Sequence, residues 1–433
     1  MIPYKLFGNE QRKVIDDILN FQKFKRLRIL GSAGTGKTTI IAYCVKELLS
    51  RGLKVAVMYY NKTLKNRIID ILGNNIPNQR NLCLEHYHRF EENRKEEIEQ
   101  LLNKIKEKKE ITLNTPLDYS VYSSKGRRTV KSRPFKNLSF DIIIVDEGQD
   151  ISEQAFSRLF LFLRKEGKFV VFADKYQKIY SNNRFESEEN AANFMAPKLP
   201  AGSGFHGPWR RLRTTYRPNN IIQKCGAEYY HKCLSKRYGD EPYNPNPHSL
   251  SFFERNSTID YYPDCDIAGD HNKWKTILDL IQKRHFDLDN TVVIMQYRKD
   301  IDDFCQYLRA KNIIVTQGCS KNKGDDLYKR NFRMTLPGLK VITIHSFKGF
   351  EAENVIYIFS FDKFLGIDKN AEEANYIALT RATKHLVIIR EKEEENKEEI
   401  ATFDSVYNQY RRSPITIPLT ISSKTTQFRS KRS

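Results

Sequence analysis

The segment GSAGTGKT at residues 31–38 constrains this chain more than any other stretch, because it fits the pattern G-x-x-x-x-G-K-[ST]. An apolar run that predicts a buried strand, KRLRIL (25–30), comes directly before it, and a stretch that predicts a helix, 37–50, follows. Glycines in such a loop let successive backbone N–H groups face a phosphate. A chance glycine-rich turn is the alternative, but the flanking strand and helix favour a phosphate-binding loop.

The side chains of this loop indicate a nucleotide triphosphate held with a metal ion. Lys37 is expected to reach the β- and γ-phosphates, and the Thr38 hydroxyl to bind Mg²⁺. A second apolar run, DIIIVDE (141–147), ends in Asp146, which is expected to hold Mg²⁺ through water, and Glu147, which is expected to orient or deprotonate the attacking water. The expected nucleotide contacts are Gly31, Ser32, Ala33, Gly34, Thr35, Gly36, Lys37, Thr38 and Thr39.

Short apolar runs alternate with helical stretches in two blocks, which predicts two α/β domains with parallel sheets and helices on both faces. Besides the two runs above, the predicted strands are 55–60, 168–174, 291–297, 312–317, 340–345, 354–359 and 385–390. Proline and glycine residues, which interrupt helices and strands, cluster near 200–212 and suggest the boundary between the domains. The predicted divisions are a first domain at 1–205 with an insertion at 91–137, a second domain at 206–390, and a polar, basic tail at 391–433.

The charge balance predicts a polyanionic partner. The 433 residues carry 73 Lys+Arg against 53 Asp+Glu, a formal net charge of +20. Seven scattered cysteines without a CxxC pair argue against a disulfide framework and against zinc, and no apolar run reaches the ~18–20 residues of a membrane span. We therefore expect a cytoplasmic protein that contacts no membrane. The segment 121–137 has six basic residues and no acid. The residues of this segment that we expect to contact a nucleic-acid strand are Arg127, Arg128, Lys131 and Arg133.

DEGQD (146–150) followed by ADKYQKIY (173–180) resembles motifs II and III of the superfamily-one helicases of the UvrD/Rep/PcrA type. The resemblance runs in order from residue 7 to about 390. The other segments that resemble family motifs are FGNEQ (7–11), VAVMYYNKTLKNRI (55–68), LEHYHRF (84–90), LRTTYRPNNII (212–222), VITIHSFKGFEAENVIYI (341–358) and EEANYIALTRATKHLVI (372–388). The resemblance implies two RecA-like P-loop domains that use ATP and Mg²⁺ to move along a single strand.

The resemblance also implies roles for individual residues. The residues that it assigns to adenine and ribose are Gln11, Tyr216 and Glu351. Those that it assigns to the γ-phosphate are Gln177, Arg217 and Arg381. Those that it assigns to the nucleic-acid strand are Asn61, His88, Tyr180 and His345.

The chain departs from these helicases in several places. Thr39 stands where relatives have an arginine beside adenine, and Asn182 stands where they have a tryptophan that stacks on a base. Phe350, in KGFEA, replaces a leucine. The large insertion of the second domain is missing, since only about twenty residues (319–339) lead to the segment at 341–358 that resembles motif V. What remains resembles a bare motor that relies on a partner.

Two functions from different classes fit this pattern. The first is an ATP-dependent translocase or helicase on single-stranded nucleic acid, with DNA and 3′-to-5′ movement implied by the resemblance alone. The second is a nucleic-acid-gated ATPase switch that controls a separately encoded nuclease, in repair or defence, without processive unwinding. An RNA helicase differs from the first only in its substrate. A fused nuclease is rejected because 391–433 is too short and lacks an acidic cluster followed by a lysine in a strand context.

Overall fold

The computed structural model describes residues 3–31, 34–60, 64–73, 75–109, 139–174, 205, 209–214, 221–238, 257–265, 273–321, 325–361, 371–392 and 397–410. The predicted site residues that lie outside the described residues are Ser32, Ala33, Asn61, Arg127, Arg128, Lys131, Arg133, Gln177, Tyr180, Tyr216 and Arg217.

The first half is built on a six-stranded sheet in the order β3-β2-β4-β5-β1-β6, and its neighbouring strands run parallel. Its strands are β1 (Arg26–Gly31), β2 (Val55–Tyr59), β3 (Leu82–His86), β4 (Phe140–Val145), β5 (Leu163–Ala173) and β6 (Arg210–Leu212). Its helices are α1 (Asn9–Leu19), α2 (Lys37–Ser50), α3 (Leu64–Leu72), α4 (Tyr87–Asn93), α5 (Lys95–Lys109) and α6 (Glu153–Phe160). A short 3-10 turn, Gly148–Asp150, follows β4.

The second half repeats this arrangement in a sheet of order β7-β12-β11-β8-β10-β9, which is also parallel. Its strands are β7 (Thr258–Cys265), β8 (Thr291–Met295), β9 (Val315–Gln317), β10 (Leu339–Thr343), β11 (Ala352–Phe359) and β12 (Ala382–Glu391). Its helices are α7 (Ile221–Tyr229), α8 (Ser235–Tyr238), α9 (Lys273–Lys283), α10 (Arg298–Ala310), α11 (Asp325–Asn331), α12 (Ile344–Phe347), α13 (Ala371–Leu379) and α14 (Lys397–Tyr410).

Each sheet is buried on both faces, which explains why its central strands are continuous apolar runs. In β4, Ile142 and Ile144 pack with α1, α2 and α3, whereas Ile143 and Val145 pack with α4, α5 and α6. The second sheet is covered in the same way, by α7, α12, α13 and α14 on one face and by α9 and α10 on the other. Full burial of each such side chain contributes roughly 1.5–3 kcal/mol. The predicted fold is therefore confirmed: two parallel sheets with helices, as in two RecA-like α/β domains.

Two segments differ from the predicted divisions. Strand β6 pairs with β1, so the first sheet continues past residue 206, where the second domain was predicted to begin. The prediction of a polar tail from residue 391 is wrong for 397–410, because these residues form α14. Phe403, Val406 and Tyr407 of α14 are buried in the core of the second half. No described helix is long and apolar enough to cross a membrane.

The two halves also touch through α3 and the connection between β9 and β10. The buried Asn66 donates from Nδ2 to the carbonyl oxygens of Phe332, at 2.6 Å, and Arg330, at 2.8 Å. Close by, Arg333 pairs with Asp70 at 3.4 Å. The short connection that the sequence analysis noted therefore docks on the first half.

Candidate active site

The phosphate loop follows β1 and ends where α2 begins at Lys37. Gly34 and Gly36 have φ values of 80° and 82°, in the left-handed region that favours glycine. A Cβ on Gly36 would also lie only 2.5 Å from Nε2 of Gln11. Both glycines are thus required by the backbone, which supports the interpretation of the motif as a phosphate loop.

Lys37 lies under the loop and is held by an acid from the neighbouring strand. Its Nζ donates to the carbonyl oxygen of Gly31 at 2.7 Å and lies 3.1 Å from Oδ2 of Asp174. Asp174 directly follows β5, and β1 and β5 are parallel neighbours, so their carboxyl ends meet at one edge of the sheet. Asp174 is not among the site residues predicted from the sequence, although an acid at the end of a strand beside the loop is a usable signal.

Thr38 and Asp146 meet at the same edge. The Thr38 hydroxyl donates to Oδ2 of Asp146 at 3.4 Å. A hydroxyl and a carboxylate are the hard oxygen ligands that Mg²⁺ prefers, so this pair fits the predicted metal site. Burial, and then the charge of Glu147, raises the pKa of Asp146 to about 7, while Lys37 acts in the opposite direction. A buried acid with too little positive charge around it is consistent with a cation site.

Glu147 is placed beside Asp146 by an unusual backbone conformation. Its φ of 55° is left-handed, and its N–H donates to Oδ1 of Asp146 at 3.0 Å. Its carbonyl oxygen accepts from the N–H of Asp150 at 2.9 Å. Burial alone would raise the pKa of Glu147, but Lys348 and Lys37 outweigh it, so the pKa lies below its usual value. Glu147 is therefore an ionised carboxylate, as a base must be.

Lys348 enters this cluster from the second half of the chain. It follows α12, its side chain is 1% exposed, and its Nζ lies 2.6 Å from Oδ2 of Asp150 and 3.7 Å from Oε2 of Glu147. Burial alone would lower the pKa of Lys348, but the charges of Asp150 and Glu147 outweigh it and raise the pKa. The sequence analysis noted the motif around Lys348 but gave the residue no role.

Arg381 also belongs to the second half and is buried. Its Nε donates to the carbonyl oxygen of Ile377 at 3.0 Å, and its Nη1 to that of Phe350 at 3.3 Å. These carbonyls fix the guanidinium in place. Its charge contributes to the low pKa of Glu147, which puts Arg381 within electrostatic reach of the first half.

Gln11 contacts the loop directly, and the amide is bound at both ends. Its Nε2 donates to the carbonyl oxygen of Thr35 at 2.9 Å, and its Oε1 accepts from the N–H of Gly8 at 3.0 Å. Glu351 is half-buried directly before β11. The roles of Gln11, Thr39 and Glu351 at the nucleoside remain predictions.

Of the residues assigned to the nucleic-acid strand, the structure describes His88 and His345. His88 is exposed on α4, and its ring centroid lies 5.4 Å from those of Tyr60 and His86. Tyr60 and His86 stand at the carboxyl ends of β2 and β3, so these rings form one group at the sheet edge. His345 lies in α12, one turn before Lys348. Their contacts with a strand remain predictions.

Comparisons with known proteins match the two halves separately. Residues 16–183 match a family model described as an AAA domain, and residues 270–390 match one described as a viral superfamily 1 RNA helicase core domain. Two proteins named as ABC transporter ATP-binding proteins, from Bacillus cereus and Bacillus anthracis, are each 33% identical over 69 residues. That stretch is 16% of this chain, and the chain spans 12% of the length of these curated relatives.

Proposed function

We propose that this chain, a superfamily-1 helicase-like P-loop protein, is an ATP-dependent translocase or helicase that acts on single-stranded nucleic acid. Matches in both halves support nucleic-acid-dependent ATP hydrolysis in general terms. One observation carries the proposal furthest. The buried Lys348 of the second half reaches Asp150 and Glu147 of the first half, so the charge and the position of Glu147 depend on how the halves meet.

Each of these residues has one role in ATP hydrolysis. Glu147 accepts a proton from the water that attacks the γ-phosphorus, and the bond to the bridging oxygen breaks to give ADP and phosphate. Lys37 and Arg381 stabilise the negative charge that develops on the phosphate oxygens. Thr38 and Asp146 would hold Mg²⁺, which supplies further charge neutralisation when bound. The predicted contributions of Gln177 and Arg217 complete the set.

The protein moves along the nucleic-acid strand if the two halves close when ATP binds and open after it is hydrolysed. Strand contacts at Asn61, His88, Tyr180 and His345 would then shift relative to one another in each cycle. DNA as the substrate and 3′-to-5′ polarity are proposed from the resemblance to UvrD-like helicases. RNA is the competing substrate, and the description of the model that matches 270–390 favours it.

A second candidate function is a nucleic-acid-gated switch that controls a separately encoded nuclease. Two observations favour it. Asn182 stands where the resemblance to UvrD-like helicases implies a base-stacking tryptophan, and only residues 318–338 lie between β9 and β10. Base stacking is worth roughly 1–3 kcal/mol per base, so its loss weakens a grip on the strand.

Unwinding assays separate these functions. Duplexes with 3′ or 5′ single-stranded tails, of DNA or of RNA, are mixed with the purified chain and ATP. A 3′-to-5′ DNA helicase unwinds the 3′-tailed DNA duplex alone. ATP turnover that the strand stimulates, without unwinding of any duplex, would favour the switch and contradict the helicase.

Replacing Lys348 by methionine is expected to lower strand-stimulated ATP turnover by about 5- to 150-fold, the range of typical coupling energies. The reason is that Glu147 loses its ion pair with the second half. Nucleotide affinity should change by no more than about twofold. Lys340→Met is a matched control, because Lys340 is a buried lysine of the same half that donates to a backbone carbonyl, that of Asp289, outside the site. Equal loss in both variants would contradict the coupling role.

Neutralising Arg127, Arg128, Lys131 and Arg133 together is expected to weaken binding to a single strand. Each lost phosphate contact should lower the slope of log affinity against log salt by roughly 0.7. Binding to a fluorescent oligonucleotide at several salt concentrations measures this slope. An unchanged slope would mean that this basic segment does not contact the strand.

A further inference from the structure

The 3-10 turn Gly148–Asp150 packs closely against the end of β5. A Cβ on Gly148 would lie 2.6 Å from Cγ1 of Val171 and 3.2 Å from the carbonyl oxygen of Phe172. Glycine is therefore required for the turn to come this close to the strand. As a result, the side chain of the next residue, Gln149, can reach both Glu147 and the end of β5.

The amide of Gln149 is bound at both ends. Its Nε2 donates to Oε2 of Glu147 at 2.5 Å, and its Oε1 accepts from the backbone N–H of Asp174 at 3.0 Å. A backbone N–H can only donate, so the oxygen end of the amide must face Asp174. The nitrogen end must then face Glu147, which fixes the direction of this bridge.

We propose that Gln149 is a positioning residue for ATP hydrolysis, which holds Oε2 of Glu147 and so directs Oε1 to the attacking water. This inference rests on the proposed ATPase function. The Nζ of Lys348 also approaches Oε2, at 3.7 Å, so both contacts use the same oxygen. An oxygen that already accepts a short hydrogen bond beside an ammonium group is a poor acceptor for another proton. Oε1 is the oxygen that remains for the water.

The bridge matters because the side chain of a glutamate is flexible. A glutamate side chain has three rotatable bonds, and here it starts from a left-handed backbone. A base must lie within hydrogen-bond reach of the proton that it accepts, and small displacements are costly. Gln149 ties the carboxylate to β5, the strand that leads to Asp174 and thus to Lys37. Glu147 and Lys37 are thereby held in fixed positions relative to each other.

The test is Gln149→Glu, which keeps an acceptor for the N–H of Asp174 but replaces the donor that faces Glu147 by a repelling oxygen. We expect kcat for strand-stimulated ATP hydrolysis to fall about 100-fold, as when one positioned donor is removed. KM for ATP and the Kd of a fluorescent ADP analogue should stay within about twofold, because the loop is unchanged. Gln149→Met removes both hydrogen bonds without adding charge, and it should also lower kcat.

Gln317→Glu is the matched control. Gln317 is a buried amide of the second half whose Nε2 donates to Oδ1 of Asp302 at 2.6 Å and whose Oε1 accepts from Nη2 of Arg309 at 2.9 Å. The same substitution there should lower the Tm but leave kcat unchanged.

Two results would overturn the inference: an unchanged kcat in both Gln149 variants, or a kcat that falls only in step with the Tm and with ADP affinity. An unmodified protein that hydrolyses no ATP with any strand would instead contradict the proposed function.

Discussion

Replacing Lys37 by alanine is expected to abolish ATP hydrolysis while leaving binding to a single strand intact. Lys37 is a cation of the phosphate loop, where its Nζ donates to the carbonyl oxygen of Gly31. The motif predicts that it reaches the β- and γ-phosphates. Loss of a charge that stabilises the transition state costs at least about 100- to 1,000-fold. Steady-state ATP turnover and oligonucleotide binding, measured on one preparation, check both parts of this prediction.

The ion pair with Asp174 complicates the single variant and suggests a better control. Asp174 is fully buried, and deletion of the lysine removes its ion-pair partner at 3.1 Å, which costs about 3–5 kcal/mol in such pairs. The double variant Lys37→Met with Asp174→Asn removes both charges and should recover most of the lost Tm. Hydrolysis should remain absent in it. Turnover that returns with stability would refute the assignment of Lys37.

Replacing Arg381 by alanine is expected to lower kcat by about 10³-fold or more, the contribution of an arginine that reaches the transferred phosphate. The guanidinium is held by the carbonyl oxygens of Ile377 and Phe350, so it is oriented before substrate arrives. Arg381→Lys keeps the charge but loses this geometry, and it should recover only a small part of the rate.

Arg390 provides the comparison for Arg381. It is also a buried arginine of the second half, but it contacts Tyr261 and Asp404 rather than the site. Arg390→Lys should lower the Tm and leave kcat unchanged. Single-turnover measurements with saturating ATP separate chemistry from binding. A rate for Arg381→Ala close to that of the unmodified protein would remove this residue from the mechanism.

The fold could be predicted where local pattern decides it. Runs such as Ile142–Val145 are apolar on both faces because helices cover both sides of the sheet. Strands β3 and β7 escaped the sequence analysis because charged or half-exposed residues interrupt their apolar pattern. Helix α14 was missed for a different reason. Its apolar residues, such as Phe403 and Tyr407, recur at helical spacing, but the surrounding charges suggested a solvated tail.

Sequence motifs predict individual residues of the site but not the contacts between residues that are far apart in the chain. Lys37, Thr38, Asp146 and Glu147 were predicted from the motifs, and the structure places Thr38 and Glu147 in contact with Asp146, and Lys37 in contact with Gly31 of the loop. The contact between Lys348 and Asp150 joins residues 198 positions apart, which no local pattern reveals. The bridge made by Gln149 depends on the left-handed backbone at residue 147, and such a conformation in a glutamate is not indicated by its neighbours.

The most direct test of the central claim is ATP turnover by the purified chain with and without single-stranded nucleic acid. If contact between the halves controls Glu147, ATP turnover should rise by about 5- to 150-fold when a DNA or RNA strand is added. The rise should disappear in Lys348→Met. Turnover that is the same with and without every strand tested would contradict a nucleic-acid-dependent ATPase.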